Sequence, residues 1–279
     1  MTKYIDLHVH THISDGTATP LEVVKQAAEM DLVAIGITDH DTVGGVEAAI
    51  EAGKVFGVEV IPGVELSAEF EKELHILGYF LDVQSKSLKK TLKSLADYRK
   101  MRNPKIIEKL NTLGMSITMQ EVKEYAQGAV IGRPHIAAIM IQKGYVSSVK
   151  EAFKRYLAID GAAYVPKKKL SPYQAITLIK QAGGVAVLAH PIFLEQSSKD
   201  IEVILKELIS YGLDGIEAYY TDHSPQVRER YITLAHKYRL LITGGSDYHG
   251  GNKPDIMIGR GYGDLYVPYA LVDELRDRR

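Results

Sequence analysis

The sequence predicts an α/β fold, a mostly parallel sheet closed or nearly closed into a barrel, with a helical segment inserted over one face. Three observations carry this. Short apolar runs, dense in β-branched and aliphatic residues, alternate with longer amphipathic stretches, as strands buried on both faces alternate with the helices that cover them. The number of such repeats suits a barrel. From about Lys86 to Val165 the alternation stops and the pattern is helical throughout.

In chain order, Tyr4–His8 reads as the first strand, Pro20–Met30 as a helix, Val33–Thr38 as a strand, Val43–Phe56 as a helix and Val58–Val64 as a strand. After the interruption come helix Pro172–Ala182, strand Val185–His190, helix Lys199–Tyr211, strand Asp214–Glu217, helix Pro225–Tyr238 and strand Leu240–Gly244. Pro20, Pro172 and Pro225 stand at helix starts behind Thr19, Ser171 and Ser224, whose short oxygen-bearing side chains suit the capping position. Within the interruption Leu88, Leu92 and Leu95 form an apolar stripe, which Arg99 and Arg102 continue at helical spacing, so these two arginines are expected to face something polar. Pro104 is expected to kink or restart the helix ahead of Ile106, Ile107, Leu110 and Leu113. The division expected is a barrel from residues 1–85 and 166–279, with 86–165 as a helical insertion covering the substrate. The basic run Lys167–Lys169 reads as a solvated loop.

The chain has 279 residues, 46% of them apolar, and a formal charge of −1. That balance argues against general coating of nucleic acid and against attraction to a membrane surface. The start, MTKYIDLHVH, has no apolar leader core, and runs such as Val185 to Ala189 are far shorter than a membrane span, so a cytoplasmic protein is expected. There are no cysteines, which excludes disulfides, thiolate metal sites and cysteine nucleophiles. Any metal must be held by His, Asp and Glu.

The placement of those residues is the strongest signal. His8 and His10 close the first strand as H-x-H, which puts both side chains on one face. Asp15 follows in a Ser-Asp-Gly turn, His40 comes just past the second strand and Glu65 ends the third. His75 lies in Glu-Leu-His-Ile-Leu-Gly, His190 ends a strand, and Asp247 and His249 follow the last one. Strand ends of a parallel barrel converge on one mouth. Nine such groups buried there without a cation would cost several kcal/mol each, and imidazole with carboxylate suits Zn, Mn or Fe better than Mg or Ca alone.

His8-Val-His10-Thr11 with Ser14-Asp15-Gly16, Thr38-Asp39-His40, Gly63-Val64-Glu65, Ala189-His190-Pro191 and Ser246-Asp247-Tyr248-His249 together resemble the ordered motifs of the polymerase and histidinol phosphatase (PHP) superfamily, over residues 3 to about 250. The resemblance implies a distorted (β/α)7 barrel with three divalent metal ions (Mn, Fe or Zn) at its mouth. It implies one metal on His8, His10, Glu65 and Asp247, a second on Glu65, His75 and His190 with Glu65 bridging, and a third on Asp15, His40 and His249. Ile131-Gly132-Arg133-Pro134-His135, Glu151-Ala152-Phe153 to Tyr156-Leu157, Tyr164-Val165-Pro166 and Ala182-Gly183-Gly184-Val185 resemble the branch that dephosphorylates nucleotides, including nucleoside 3′,5′-bisphosphates, some members of which trim short RNA from the 5′ end.

The expected activity is therefore hydrolysis of nucleotide phosphate monoesters through a metal-bound hydroxide. The alternatives are a 5′–3′ exonuclease or phosphodiesterase on short oligonucleotides, a histidinol phosphatase, and a metal-binding regulatory module without turnover. Neither a membrane nor an obligate protein partner is expected. Arg133 is the candidate phosphate fork, with His135 two residues on, because a guanidinium binds phosphate at two points. His223, beyond the strand ending at Glu217, is a candidate phosphate contact or proton donor. His12, an additional histidine in the first motif, is expected to be exposed, and His236 to be packing or surface.

Overall fold

The computed structural model describes residues 3–126, 131–195 and 197–279. Eight strands, β1 (Tyr4–Val9), β2 (Leu32–Ile37), β3 (Glu59–Ala68), β4 (Leu74–Tyr79), β5 (Val185–Leu188), β6 (Gly215–Tyr220), β7 (Leu241–Gly245) and β8 (Val267–Pro268), form one sheet in the order β7-β6-β5-β4-β3-β2-β1-β8. The β1–β2, β2–β3, β5–β6 and β6–β7 pairs are parallel. The edges β1 and β7 meet beyond their regular pairing, where His10 N donates to Tyr248 O at 3.0 Å and Asp247 N to His8 O at 2.9 Å. The short β8 pairs antiparallel with the start of β1, Ile5 opposite Val267. The result is a nearly closed α/β barrel of the expected class.

Two strands had no place in the sequence reading. β4 runs antiparallel to both β3 and β5. No helix precedes it; the charged stretch Glu69–Glu73 turns the chain straight back from β3, so the strand–helix rhythm gives no cue. β8 is two residues long, too short for any periodicity.

The helices are α1 (Pro20–Glu29), α2 (Val46–Phe56), α3 (Lys86–Thr112), α4 (Met119–Ala126), α5 (Arg133–Gln142), α6 (Val149–Ala152), α7 (Pro172–Gln181), α8 (Ile201–Ser210), α9 (Pro225–Tyr238) and α10 (Ala270–Asp277). The expected caps form: Thr19, Ser171 and Ser224 accept from the backbone N–H of Glu22, Gln174 and Val227. Pro104 does not restart the helix. α3 runs through it as one 27-residue element, giving up only the bond that its missing N–H would have made to the preceding turn. The two halves of α3 pack differently. Leu88, Leu92 and Leu95 join the core shared with β3–β6, while Ile106, Ile107 and Leu110 join a separate cluster with Val122, Ile136 and Met140 of α4 and α5. Among the described residues, no helix is long and apolar enough to cross a membrane.

Alternation along β1 sets up the mouth. Ile5, Leu7 and Val9 join apolar clusters, so Asp6, His8 and His10 take the other face, all buried. Asp6 accepts from Ser246 N (2.9 Å), Ser246 Oγ (2.5 Å), Gly259 N (2.7 Å) and His8 N (3.2 Å), which binds β1 to the end of β7 and to the following loop. At this seam Gly245 meets β1 so closely that a Cβ on it would lie 2.3 Å from His8 N and 2.4 Å from His8 Cβ. Gly245→Ala is therefore expected to destabilise the protein by about 2–3 kcal/mol, read as a lower urea midpoint, because the backbone at the seam must move to admit a methyl group. Val55→Ala, on the exposed face of α2, should shift it by no more than about 0.5 kcal/mol.

Candidate metal centre

The nine residues singled out by sequence meet at the barrel mouth. His8 and His10 come from β1 and the residues just after it, and Asp15 from the turn that follows. His40 comes from the loop after β2, His190 from the end of β5, and Asp247 and His249 from the loop after β7. Two are placed differently from expectation. Glu65 lies inside the ten-residue β3, which outlasts its pairing with β2 at Pro62 and continues against β4. His75 is at the beginning of β4, not a strand end; because β4 is reversed, its start is what reaches the mouth.

Glu65 is the hub. Its Oε2 lies 3.3 Å from His8 Nε2, 3.2 Å from His10 Nε2 and 3.0 Å from His40 Nδ1, and its Oε1 lies 2.7 Å from His75 Nδ1 and 2.9 Å from His190 Nε2. Asp247 Oδ1 stands 3.3 Å from His10 Nε2 and 3.7 Å from His8 Nε2. Asp15 stands 3.3 Å from His249 Nε2, 3.7 Å from His10 Nδ1 and 3.8 Å from His40 Nε2. Three groups have donor atoms within 4.8 Å of one another, as a shared cation requires: His10, Asp15, His40 and His249; His8, His10 and Glu65; and His40, Glu65 and His75. His10, His40 and Glu65 each belong to two groups, and His190 and Asp247 fall in none of the three, so proximity divides the nine less cleanly than the motif resemblance does.

The donor set fits a metal cluster on an observation independent of any likeness. Both His10 ring nitrogens, His8 Nε2, His40 Nδ1, His190 Nδ1 and Glu65 Oε2 are buried and have no hydrogen-bond partner among the described residues. Left bare, such atoms forfeit the full cost of leaving water. Burial disfavours charge on Glu65, yet His40, His75 and His8 around it hold its carboxyl well below the usual range. Burial likewise opposes charge on His10, but Asp247 and Glu65 raise its pKa to about 9. Burial, with the charges of His10 and Lys253, brings His249 down to about 4, a neutral imidazole ready to act as a ligand.

A supporting set surrounds the nine, and the sequence reading missed it. Glu217 is fully buried on β6; its Oε1 accepts from His8 Nδ1 at 3.0 Å and its Oε2 from the His190 N–H at 2.7 Å, fixing one imidazole and the backbone of another. Its cue was an acid within the strand Gly215-Ile216-Glu217-Ala218. Tyr220 Oη donates to Asp247 Oδ2 at 3.0 Å and Lys253 Nζ lies 2.6 Å from the same oxygen, which leaves Oδ1 to face the histidines. His190 and Asp247 both hold positive φ, 25° and 57°, a strain that the packed mouth sustains.

The remaining candidates fall elsewhere. Arg133 is the first residue of α5; its guanidinium donates to Leu157 O at 2.8 Å and sits 5.3 Å over the Phe153 ring, both on the π-helical turn Phe153–Leu157. His135 Nδ1 accepts from Gly132 N at 3.0 Å. His223 is not drawn into the cluster: Nδ1 donates to Ala218 O at 2.8 Å and Nε2 is buried near Tyr220 and Tyr231 without a polar partner among the described residues. His12 is half-buried, not exposed, and His236 is exposed.

Arg99 and Arg102 do face polar groups, and both are buried. Arg99 pairs with Asp41, whose Oδ2 also lies 2.6 Å from Lys167 Nζ. Lys167 is thus no solvated loop residue, since burial and the nearby Arg99 bring its pKa down to about 8. Arg102 bonds only the side-chain oxygen of Asn103, at 2.8 and 3.2 Å, and no carboxylate among the described residues pairs with it. Burial and the like charges of Arg133 and Arg99 depress its pKa to about 10.

The family model of the PHP domain matches residues 6–165. Over 269 residues the chain is 34% identical to the 5′-3′ exoribonuclease Rnm of Escherichia coli, covering 95% of this chain and 90% of that one. It is 32% identical to the phosphoribosyl 1,2-cyclic phosphate 1,2-diphosphodiesterase of Eggerthella lenta (88% and 94% covered) and 30% identical to the 3′,5′-nucleoside bisphosphate phosphatase of Chromobacterium violaceum (88% and 87%). A crystal structure from Bifidobacterium adolescentis, described as a metal-dependent phosphoesterase, superposes with a TM-score of 0.90 at 31% identity over 99% of this chain and 96% of the other. With more than half of its length matched by the family model and near full-length relatives at this identity, the chain belongs to the PHP family and is a metal-dependent phosphoesterase.

Proposed function

We propose that the protein removes a phosphate from nucleotides that carry a second phosphate, nucleoside 3′,5′-bisphosphates being the best fit, with three divalent cations (Mn, Fe or Zn) held by the nine mouth residues. The observation that carries the substrate assignment is Arg102, a buried guanidinium with no carboxylate partner among the described residues and crowded by Arg99 and Arg133. Cations so placed destabilise the empty protein and are compensated by an anion between them. The relatives' names agree: a nucleoside 3′,5′-bisphosphate and a phosphoribosyl cyclic phosphate each carry a phosphate besides the one attacked. Histidinol phosphate has none, so the arginines count against that alternative. Residues 86–165, which carry Arg99, Arg102 and Arg133, are the substrate cover in this reading. The expectation of Arg133 as the fork becomes part of a cluster, with His135 at the same helix start and His223 left without a contact to reacting groups.

A phosphate monoester repels an anionic nucleophile, and bound divalent cations remove that obstacle by clamping the phosphoryl oxygens and acidifying a water. The protein's part is to fix the ligands beforehand. Glu65 would bridge two cations, having one oxygen among His8, His10 and His40 and the other between His75 and His190. Glu217 keeps the His8 ring turned so that Nε2 faces inward, and Tyr220 with Lys253 hold one oxygen of Asp247 so that the other is free. A second reading, 5′–3′ cleavage of short RNA, is favoured by the likeness to exoribonucleases at 33–34% identity. Phosphate release or nucleotide release from a 5′-phosphorylated tetranucleotide, run beside adenosine 3′,5′-bisphosphate, decides between them.

Elemental analysis of chelator-free protein should find about three divalent ions per chain, and less than one after metal reconstitution would overturn the cluster. Exhaustive chelation should lower the melting temperature, because the bare carboxylates and imidazoles lose the cations that offset their burial. Glu65→Gln should lose more metal than any other single ligand change, whereas Glu217→Gln should retain the ions but bind them about 10- to 100-fold more weakly. Arg102→Met or Arg133→Ala should leave metal content intact and lower kcat/KM on adenosine 3′,5′-bisphosphate roughly 10- to 100-fold, the loss of a charge-assisted bond of about 1.5–3 kcal/mol. On p-nitrophenyl phosphate, which has no second phosphate, the same variants should stay within about threefold of wild type. An equal loss on both substrates would make the arginines a clamp on the reacting phosphate instead.

A further inference from the structure

We propose that Phe193 is the surface on which the substrate's nucleobase stacks, an inference that rests on the nucleotide reading above. Phe193 lies on the 3-10 turn Pro191–Leu194, immediately after His190. Pro191 and Leu194 of that turn are buried, and Phe193 N donates back to His190 O at 3.2 Å, so the backbone under the ring is fixed. The ring is wedged as well. Its centroid is 4.9 Å from the His190 imidazole at 58° and 6.1 Å from the Tyr220 ring at 80°. Both neighbours are tied to the centre, His190 through Glu65 and Tyr220 through its bond to Asp247. Despite this packing, 39% of Phe193 remains exposed.

A single exposed apolar side chain means little by itself. This one differs in being immobilised at its edges by residues of the centre and open beyond them. A phosphate seated among the nine residues places the rest of the nucleotide at the rim, and its planar, apolar part is the base. The arginine cluster serves anions and offers the base nothing comparable. Stacking on a phenyl ring contributes without hydrogen-bond readout, so the site should accept purines and pyrimidines alike while rejecting substrates that lack a base.

The test compares wild type, Phe193→Ala, Phe193→Leu and Phe193→Trp, each loaded with Mn²⁺ and checked for metal content, on adenosine 3′,5′-bisphosphate and on the base-free 1-deoxyribose 3,5-bisphosphate. The expected result is a preference for the nucleotide that falls about tenfold in Ala and in Leu, through KM, and is kept in Trp, with metal content unchanged. Leu preserves apolar bulk but offers no π face, so a Leu variant as selective as wild type would overturn the proposal. So would an equal loss on both substrates, which would make Phe193 a prop for His190. If wild type cleaves the base-free compound as well as the nucleotide, the base is not read and the proposal fails while phosphatase action on bisphosphates stands. If wild type cleaves neither but does cleave other phosphate esters, the nucleotide reading fails and takes the stacking surface with it.

Discussion

One carboxylate, Glu65, touches five imidazoles, and most of the mouth is arranged so that this is tolerable. A buried carboxylate amid histidines is held charged by them, and they in turn are pulled toward charge by it and by Asp247. Without cations the cluster balances poorly: several ring nitrogens and one Glu65 oxygen lack a hydrogen-bond partner among the described residues. Divalent ions would satisfy those atoms together, which is why the site reads as a metal centre and not as a salt-bridge network.

The barrel meets the geometric demand of that hub through two departures from regular strand–helix alternation. The first is β4. A parallel strand in its place would present its far end to the mouth, whereas the reversed strand brings His75 against Glu65 Oε1 directly from a hairpin with β3. The second is the β1–β7 seam, where Gly245 lets the chains approach and Asp6 gathers the N–H groups of His8, Ser246 and Gly259. His8 and Asp247 are thereby set on adjoining chains before any ion arrives. Glu217 then orients His8 from beneath, so the ligands are restrained by packing and hydrogen bonds rather than by the metals alone.

Electrostatics also joins α3 to the loop after β2. Asp41, on the loop that carries His40, takes both Arg99 of α3 and Lys167; these charges hold its carboxyl below the ordinary range in spite of burial. The pairing anchors α3 between two apolar clusters, with Leu88 and Leu95 packed in the core shared with β3–β6 and Ile106 and Leu110 in the cluster with α4 and α5. Arg102, one turn further along from Arg99, pairs with no carboxylate among the described residues. The same helix therefore pairs with the barrel loop through Arg99 and presents, in Arg102, a cation that no carboxylate among the described residues neutralises.

The sequence by itself determined the class of fold, six of the eight described strands and the nine His, Asp and Glu residues that gather at the mouth, because those depend on local pattern. Apolar runs, Thr19, Ser171 and Ser224 before proline, and His or acid at strand ends are all legible within a few residues. Only the tertiary structure decided the direction of β4, since a six-residue apolar strand reads the same forwards and backwards. Only it turned Glu217 from the end of a strand into the partner of His8, a contact between residues 209 apart. It moved Lys167 from solvent into a pair with the buried Asp41, and it left His223, well placed in sequence, facing Tyr231 instead of the cluster. Long-range pairing and the burial of charge are properties of the closed barrel, and no window of neighbouring residues encodes them.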